Sequence, residues 1–205
     1  MNNPEDEEQL SVKIILLGSS TVGKSSILVR YIKNSFYSSY LSTVGIDFGK
    51  KTIEVALPNN KTEKIEIHIW DTAGQERYGS IVRQYYSKSH GAFVVFDLSD
   101  KKTLADAEKW INQIHENAGK KVHIFLVGNK SDITERQVTE KDALDKANEH
   151  NIKYFEVSAF SGKGVTETFE EMAKDLLKKY HDKKESLKNK EKQLSQIKEQ
   201  KKCCN

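Results

Sequence analysis

Gly18-Ser19-Ser20-Thr21-Val22-Gly23-Lys24-Ser25 opens on a glycine and ends in glycine, lysine and serine. It follows Val12-Lys13-Ile14-Ile15-Leu16-Leu17, a short apolar run suited to a strand buried on both faces. It opens into Lys24 to Lys33, where Ile27, Leu28, Tyr31 and Ile32 recur at helical spacing. A strand that turns through glycines into a helix leaves the N–H groups of the first helical turn without internal partners. Those donors and the positive end of the helix dipole form an anion cradle. The pattern G-x-x-x-x-G-K-[ST] in this context predicts a phosphate-binding loop built from Ser20, Thr21, Val22, Gly23, Lys24, Ser25 and Ser26. Lys24 places a point charge between two phosphates, and the Ser25 hydroxyl is a ligand for Mg2+. The chain is predicted to bind a nucleoside triphosphate.

The remainder of the chain supplies the frame. Lys50 to Leu57 and Glu63 to Trp70 read as strands joined by the turn Pro58-Asn59-Asn60, and so short a connection makes them antiparallel. Ala92 to Phe96, Val122 to Val127 and Tyr154 to Val157 read as further strands. Between them, Thr103 and Thr139 each start a capping-box pattern, the first helix carrying Leu104, Ala107, Ile111 and Ile114 on its core face. A last helix carries Phe169, Met172, Ala173, Leu176, Leu177 and Tyr180 on one stripe. Strands alternating with helices predict an α/β fold of the P-loop NTPase type. It has a six-stranded, mostly parallel sheet with one antiparallel strand and helices on both faces. Ligands then bind beyond the carboxyl ends of the strands.

At 205 residues, with 37% hydrophobic and 31% charged side chains, the chain suits one globular domain with polar extensions. No apolar run approaches the roughly 20 residues of a membrane span, and Met1 to Leu10 lacks a signal-like apolar core. The net charge of +3 is unevenly spread. Residues 1–9 are acidic and read as a flexible N-terminus, and residues 10–180 as the nucleotide domain. Residues 181–205 form a lysine-rich tail in which Leu187, Leu194 and Ile197 keep a near-heptad spacing that suits a transient helix or a partner surface; a solvated, disordered tail is favoured over these because one thin seam cannot offset chain entropy. Both cysteines, Cys203 and Cys204, lie at the extreme end, a position that suits modification rather than structure. The six histidines show no ligand-like spacing.

Three further motifs each follow a predicted strand. Asp71-Thr72-Ala73-Gly74 offers a carboxylate that holds Mg2+ through water and a Gly74 N–H for the terminal phosphate. Asn129-Lys130-Ser131-Asp132 offers a carboxylate able to accept two hydrogen bonds, which suits N1–H and the exocyclic amine of guanine and not adenine. Ser158-Ala159 offers a backbone N–H to the guanine oxygen. Asp-Thr-Ala-Gly alone is an ordinary turn and Asn-Lys-Ser-Asp an ordinary loop; with the phosphate loop and Ser158-Ala159, four motifs in this order, each after a strand, are specific.

With these motifs the chain resembles the small GTPases of the Ras superfamily over about residues 10 to 180, and the Rab family most closely. The Rab-like marks are Ser42-Thr43-Val44-Gly45-Ile46-Asp47-Phe48, Tyr85-Tyr86 and the ending Cys203-Cys204-Asn205. Sister families fit less well: no cysteine stands fourth from the end, no long insert separates Asp132 from Thr139, and Asn2 cannot be myristoylated. The resemblance implies that Thr43 binds Mg2+ and senses the third phosphate, that Phe36 lies across the guanine and that Tyr40 closes over the phosphates. It implies that Gln75 is the catalytic residue, orienting the attacking water, and that loops at about 34–48 and 72–86 are ordered by GTP and released on hydrolysis. It further implies double prenylation of Cys203 and Cys204, and a monomer cycling between cytosol and the cytoplasmic face of an intracellular membrane. Its partners would be a guanine-nucleotide exchange factor, a GTPase-activating protein, effectors, a prenylation escort and a GDP-dissociation inhibitor, with no nucleic acid. The expected function is a slow GTPase switch in vesicle trafficking, with GTP or GDP and Mg2+ bound. Two departures stand out: Ser20-Thr21 where relatives often have glycine, which bears on hydrolysis, and Phe160 where the family usually has lysine, which bears on nucleotide affinity. One alternative is a non-hydrolysing GTP-binding scaffold of the same fold, against which Gln75, Thr43 and Lys24 argue. A P-loop ATPase or nucleotide kinase is disfavoured by Asn129-Lys130-x-Asp132.

Overall fold

The structure, a computed structural model, describes residues 10–37, 46–57, 62–72 and 85–202. Six strands form one sheet: β1 (Leu10–Leu17), β2 (Ile46–Ala56), β3 (Thr62–Thr72), β4 (Gly91–Asp97), β5 (His123–Asn129) and β6 (Lys153–Glu156). Their order is β2-β3-β1-β4-β5-β6, antiparallel between β2 and β3 and parallel at every other pairing. The helices are α1 (Lys24–Lys33), α2 (Lys101–Ala105), α3 (Ala107–Asn117), α4 (Glu140–Glu149) and α5 (Val165–Lys202). The predicted fold class is thus the observed one.

Two cores lie on opposite faces of the sheet, and the alternation along β1 divides them. Val12, Ile14 and Leu16 pack with Ile27, Leu28 and Tyr31 of α1 and Phe169, Met172 and Leu177 of α5. Ile15 and Leu17 pack with Trp110, Ile111 and Ile114 of α3 and Ala143 and Ala147 of α4. A strand segment covered on both sides is apolar on both faces, which is why residues 14–17 of β1 and Ala92 to Phe96 of β4 read as continuous runs. Strand order reverses at β1, with β3 on one side and β4 on the other, so the crevice of the sheet opens directly above the loop that follows β1.

Several boundaries differ from the sequence reading. Strand β2 begins at Ile46 rather than Lys50, because residues 46–49 pair with residues 69–72 of β3. Residues 46–48 therefore belong to the sheet and not to the expected loop. Asp71 is the penultimate residue of β3 and Asn129 the last of β5, so both lie within their strands rather than first after them. The first capping box fails. Asp100 is the N-cap, accepting a hydrogen bond from the Lys102 N–H, as aspartate three residues earlier is the better cap. Thr103 sits buried inside α2, where its hydroxyl accepts from the Asp97 N–H at 2.9 Å and donates to the Asp100 carbonyl at 2.7 Å. The second box forms as read: Thr139 and Asp142 bond each other's backbone N–H groups. The tail expected to be solvated from residue 181 is helical, since α5 continues to Lys202. Residues 165–202 contain no glycine or proline and are rich in lysine, glutamate, glutamine and leucine, all strong helix formers. Its side chains from Asp182 to Lys190 are exposed, so propensity rather than burial carries this part. Among the described residues no helix is long and apolar enough to cross a membrane.

Candidate functional site

The phosphate loop leaves β1 through Gly18 at φ 143°, where an added Cβ would lie 2.1 Å from the Val95 carbonyl oxygen. Only glycine lets the loop pass this close to β4. At the other end Gly23 is the N-cap of α1 at φ 93°, with no side-chain cap over the helix start. The first-turn N–H groups of α1 are thereby turned toward the crevice. Thr21 also lies in the left-handed region, at φ 66°, an uncommon conformation for a β-branched residue. Its hydroxyl donates to the Ser20 carbonyl at 2.6 Å. The site of the Ser20-Thr21 departure is thus a position whose backbone favours glycine.

Lys24 is buried, and its ammonium donates to the carbonyls of Gly18 at 2.9 Å and Ser19 at 2.8 Å, closing the loop around itself. Burial pushes this ammonium down to about 8, against the opposing pull of the Asp71 carboxylate. Asp71 is wholly buried and accepts a short hydrogen bond on Oδ2 from the Ser25 hydroxyl. Burial raises its carboxyl to about 6; the Ser25 bond and Lys24 oppose this rise and Asp47 adds to it. Among the described residues, Oδ1 of Asp71 is buried with no hydrogen-bond partner. A hydroxyl joined to a carboxylate with one unmatched oxygen is a hard-oxygen donor set, and it fits Mg2+.

The base side of the crevice is built on the ends of β5 and β6. Asn129, buried at the end of β5, donates from Nδ2 to the Val22 carbonyl at 2.8 Å and accepts on Oδ1 from the Ala159 N–H at 3.1 Å. One side chain therefore joins the phosphate loop to the loop after β6. Of the Ser158-Ala159 pair expected to offer a backbone N–H to guanine, both N–H groups are engaged in this arrangement, that of Ser158 by the Lys163 carbonyl and that of Ala159 by Asn129. Lys130, at φ 67°, forms an ion pair with Asp97 at 2.5 Å. Burial raises the Asp97 carboxyl, but Lys130 and Ser99 outweigh it and hold the group below its usual range. Asp132 accepts on Oδ1 from the buried Ser158 hydroxyl at 2.5 Å, which aims the carboxylate. The Ser161 N–H returns a bond to that hydroxyl at 3.0 Å. Phe36 and Phe160 are both exposed, and their rings meet edge to face with centroids 5.3 Å apart.

The structure brings the predicted residues Ser20 to Ser26, Asp71, Asn129 to Asp132 and Ser158 to Phe160 to one edge of the sheet, with Phe36 at its rim. Tyr40, Thr43, Gly74, Gln75, Cys203 and Cys204 lie outside the described residues. Sequence reading missed Arg30, whose guanidinium donates to the carbonyls of Ala159 and Phe160. It missed Asp97, although a carboxylate ending a buried strand on the ligand edge was a usable signal. It also missed the pair in which Ser19 donates its hydroxyl to Asp106 at 2.8 Å. No local pattern marks Arg30 or Asp106, because their partners are brought to them only by the fold.

Comparison with known proteins agrees with this geometry. Residues 13–178 match the family model described as the Ras family. The chain is 40% identical to Ras-related protein Rab-13 of Canis lupus familiaris over 168 residues, 82% of this chain and 80% of the relative. It is 41% identical over 172 residues to Ras-related protein RabC of Dictyostelium discoideum, covering 83% and 86% of the two chains. Ras-related protein Rab-15 of Homo sapiens is 38% identical over 176 residues, covering 85% and 81%.

Proposed function

The chain belongs to the Ras family and is a small GTPase of the Rab type; from this premise we propose that it is a slow, membrane-recruited switch of vesicle trafficking. The observation that carries the reading is the convergence of Lys24, Ser25, Asp71, Asn129 and Asp132 on one sheet edge. Backbone N–H groups at the start of α1 receive the phosphates, and the buried Lys24 ammonium neutralises them. Ser25 and Thr43, with Asp71 through water, would hold Mg2+. Bound there, the ion would supply charge neutralisation to the phosphates. Asp132, aimed by Ser158, accepts the two guanine donors, while Phe36 covers the base.

Gln75 orients the attacking water, and the Gly74 N–H and Thr43 sense the third phosphate. Tyr40 closes over the phosphates. No arginine is placed in cis by the motifs, so turnover is slow until an activating protein supplies charge, a gain of about 10³–10⁵-fold. Loss of the third phosphate releases the two loops and with them the effectors. Residues 10–180 form the switch domain. Residues 181–205 carry the anchor, prenylated at Cys203 and Cys204, so that the monomer cycles between cytosol and the cytoplasmic face of an intracellular membrane. An exchange factor, a prenylation escort and a GDP-dissociation inhibitor complete the cycle.

The test pairs competition of GTP and ATP for the purified protein with single-turnover hydrolysis by the parent and Gln75→Leu. GTP should displace bound nucleotide where ATP does not, and Gln75→Leu should bind GTP normally while hydrolysing it more slowly. Equal competition by ATP, or equal hydrolysis by the two forms, overturns the reading.

A further inference from the structure

Arg30 lies two turns along α1 from the phosphate loop, and its side chain reaches from the end of α1 across to the loop after β6. Its Nε donates to the Ala159 carbonyl at 2.9 Å and one terminal nitrogen donates to the Phe160 carbonyl at 2.5 Å. The other terminal nitrogen donates to the Asn34 carbonyl at 3.0 Å, with the Asn34 side-chain oxygen at 3.3 Å. Asn34 is the left-handed C-cap of α1, at φ 48°, and its own N–H returns to the Arg30 carbonyl at 2.9 Å. Gly162 closes the far side of the same loop at φ 90°, where a Cβ would come 3.4 Å from Arg30 Cδ.

A guanidinium presents its donors in a rigid plane, so bonds made by all three nitrogens fix their acceptors relative to one another. Here those acceptors belong to two separate chain segments. One is the loop Ser158 to Phe160, whose Ala159 N–H is already held by Asn129. The other is the exit from α1, which leads within two residues to Phe36. The Phe36 and Phe160 rings that these segments carry meet at 86°. Carbonyl acceptors of this kind are satisfied by charge-assisted bonds, which are the stronger class.

We propose that Arg30 is a positioning residue for guanine-nucleotide retention, its guanidinium locking the Ala159–Phe160 loop to the segment that carries Phe36. It does not touch the nucleotide. It sets the gap between the two segments that flank the base, and so governs how readily the base leaves. This inference rests on the assignment of Asp132, Ser158 and Phe36 to the guanine side of the crevice.

The experiment measures release of a fluorescent GDP analogue from the loaded full-length protein, alongside single-turnover hydrolysis and thermal melting. The forms compared are the parent, Arg30→Met and Arg30→Lys. Loss of the fork should raise the release rate about tenfold or more in Arg30→Met, as expected for losing charge-assisted bonds. The ratio of release rate to hydrolysis rate should rise with it, a split that general loosening of the domain does not produce. Arg30→Lys keeps the charge and much of the aliphatic stem but cannot bond both carbonyls and Asn34 in one plane, so it too should release GDP faster with little change in melting temperature. Should Arg30→Met fail to fold, the lysine variant decides alone. Release at the parental rate from a folded Arg30→Met or from Arg30→Lys overturns the proposal. The parent's preference for GDP over ADP is measured in the same series. A parent without that preference overturns the guanine-site reading itself, and the proposal with it; a guanine-selective parent with unmoved variants overturns the role of Arg30 alone.

Discussion

Asn129 donates its side-chain amide to the carbonyl of Val22 at 2.8 Å, across 107 positions of sequence. The same side chain accepts from Ala159, so two loops of the crevice share one anchor. Gly23 makes this contact possible, since a Cβ there would lie 2.3 Å from the Asn129 amide nitrogen. Asn129→Ala should leave a buried carbonyl and a buried N–H unmatched, at about 1–3 kcal/mol each. GDP affinity should fall together with the melting temperature, and melting of loaded protein against nucleotide concentration reads both. Unchanged GDP affinity in the variant would remove Asn129 from the site.

Asp132→Asn should exchange guanine for xanthine, because an amide can donate where the carboxylate only accepts. The Ser158 hydroxyl at 2.5 Å still positions the new side chain. Discrimination by paired polar groups reaches about 10⁴-fold in favourable cases. Competition between GDP and XDP in parent and variant should show the preference invert; equal affinities in both forms would place Asp132 elsewhere.

His90 predicts a pH dependence of stability away from the crevice. Its Nδ1 accepts from the Lys13 N–H at 3.0 Å, and burial, followed by the charges of Lys13 and Lys179, holds its imidazole below the ordinary range. The unfolded state therefore binds this proton more readily than the folded one. The contribution is present above the unfolded value of about 6.5 and is lost as pH falls below it. Urea melts at pH 7.5 and 5.5 should show a drop that His90→Asn reduces, since asparagine can accept the same N–H and does not titrate. An equal drop in both forms would assign it to other groups.

Cys203→Ser with Cys204→Ser should make the protein soluble while nucleotide binding persists. Lipid burial contributes about 0.8 kcal/mol per CH2, so one chain holds reversibly and two hold stably. Lysines near an anionic leaflet add about 1 kcal/mol each, and Lys201 and Lys202 immediately precede the thiols. Membrane sedimentation of parent and double variant from cells reads the difference. Sedimentation of the double variant at the parental level would mean another anchor.

Element types, the sheet class and the chemistry of the phosphate loop were legible in the amino-acid sequence, because these follow from short-range pattern. Period, glycine placement and the order Gly18–Ser25, Asp71, Asn129–Asp132, Ser158–Ala159 are local properties, and the comparisons agree with the family they point to. The boundaries were less legible. Thr103 matches a capping pattern as well as Thr139 does, yet only the approach of β4 decides that its hydroxyl serves Asp97 instead. Helix α5 continues beyond Tyr180 because backbone propensity carries it where a thin apolar seam does not. Contacts between distant segments were decided by tertiary structure alone: Arg30 with Ala159 and Phe160, Lys130 with Asp97, Ser19 with Asp106. A hydrogen bond between residues scores of positions apart leaves no periodicity to read, since its geometry exists only once the sheet has brought the loops to a common edge.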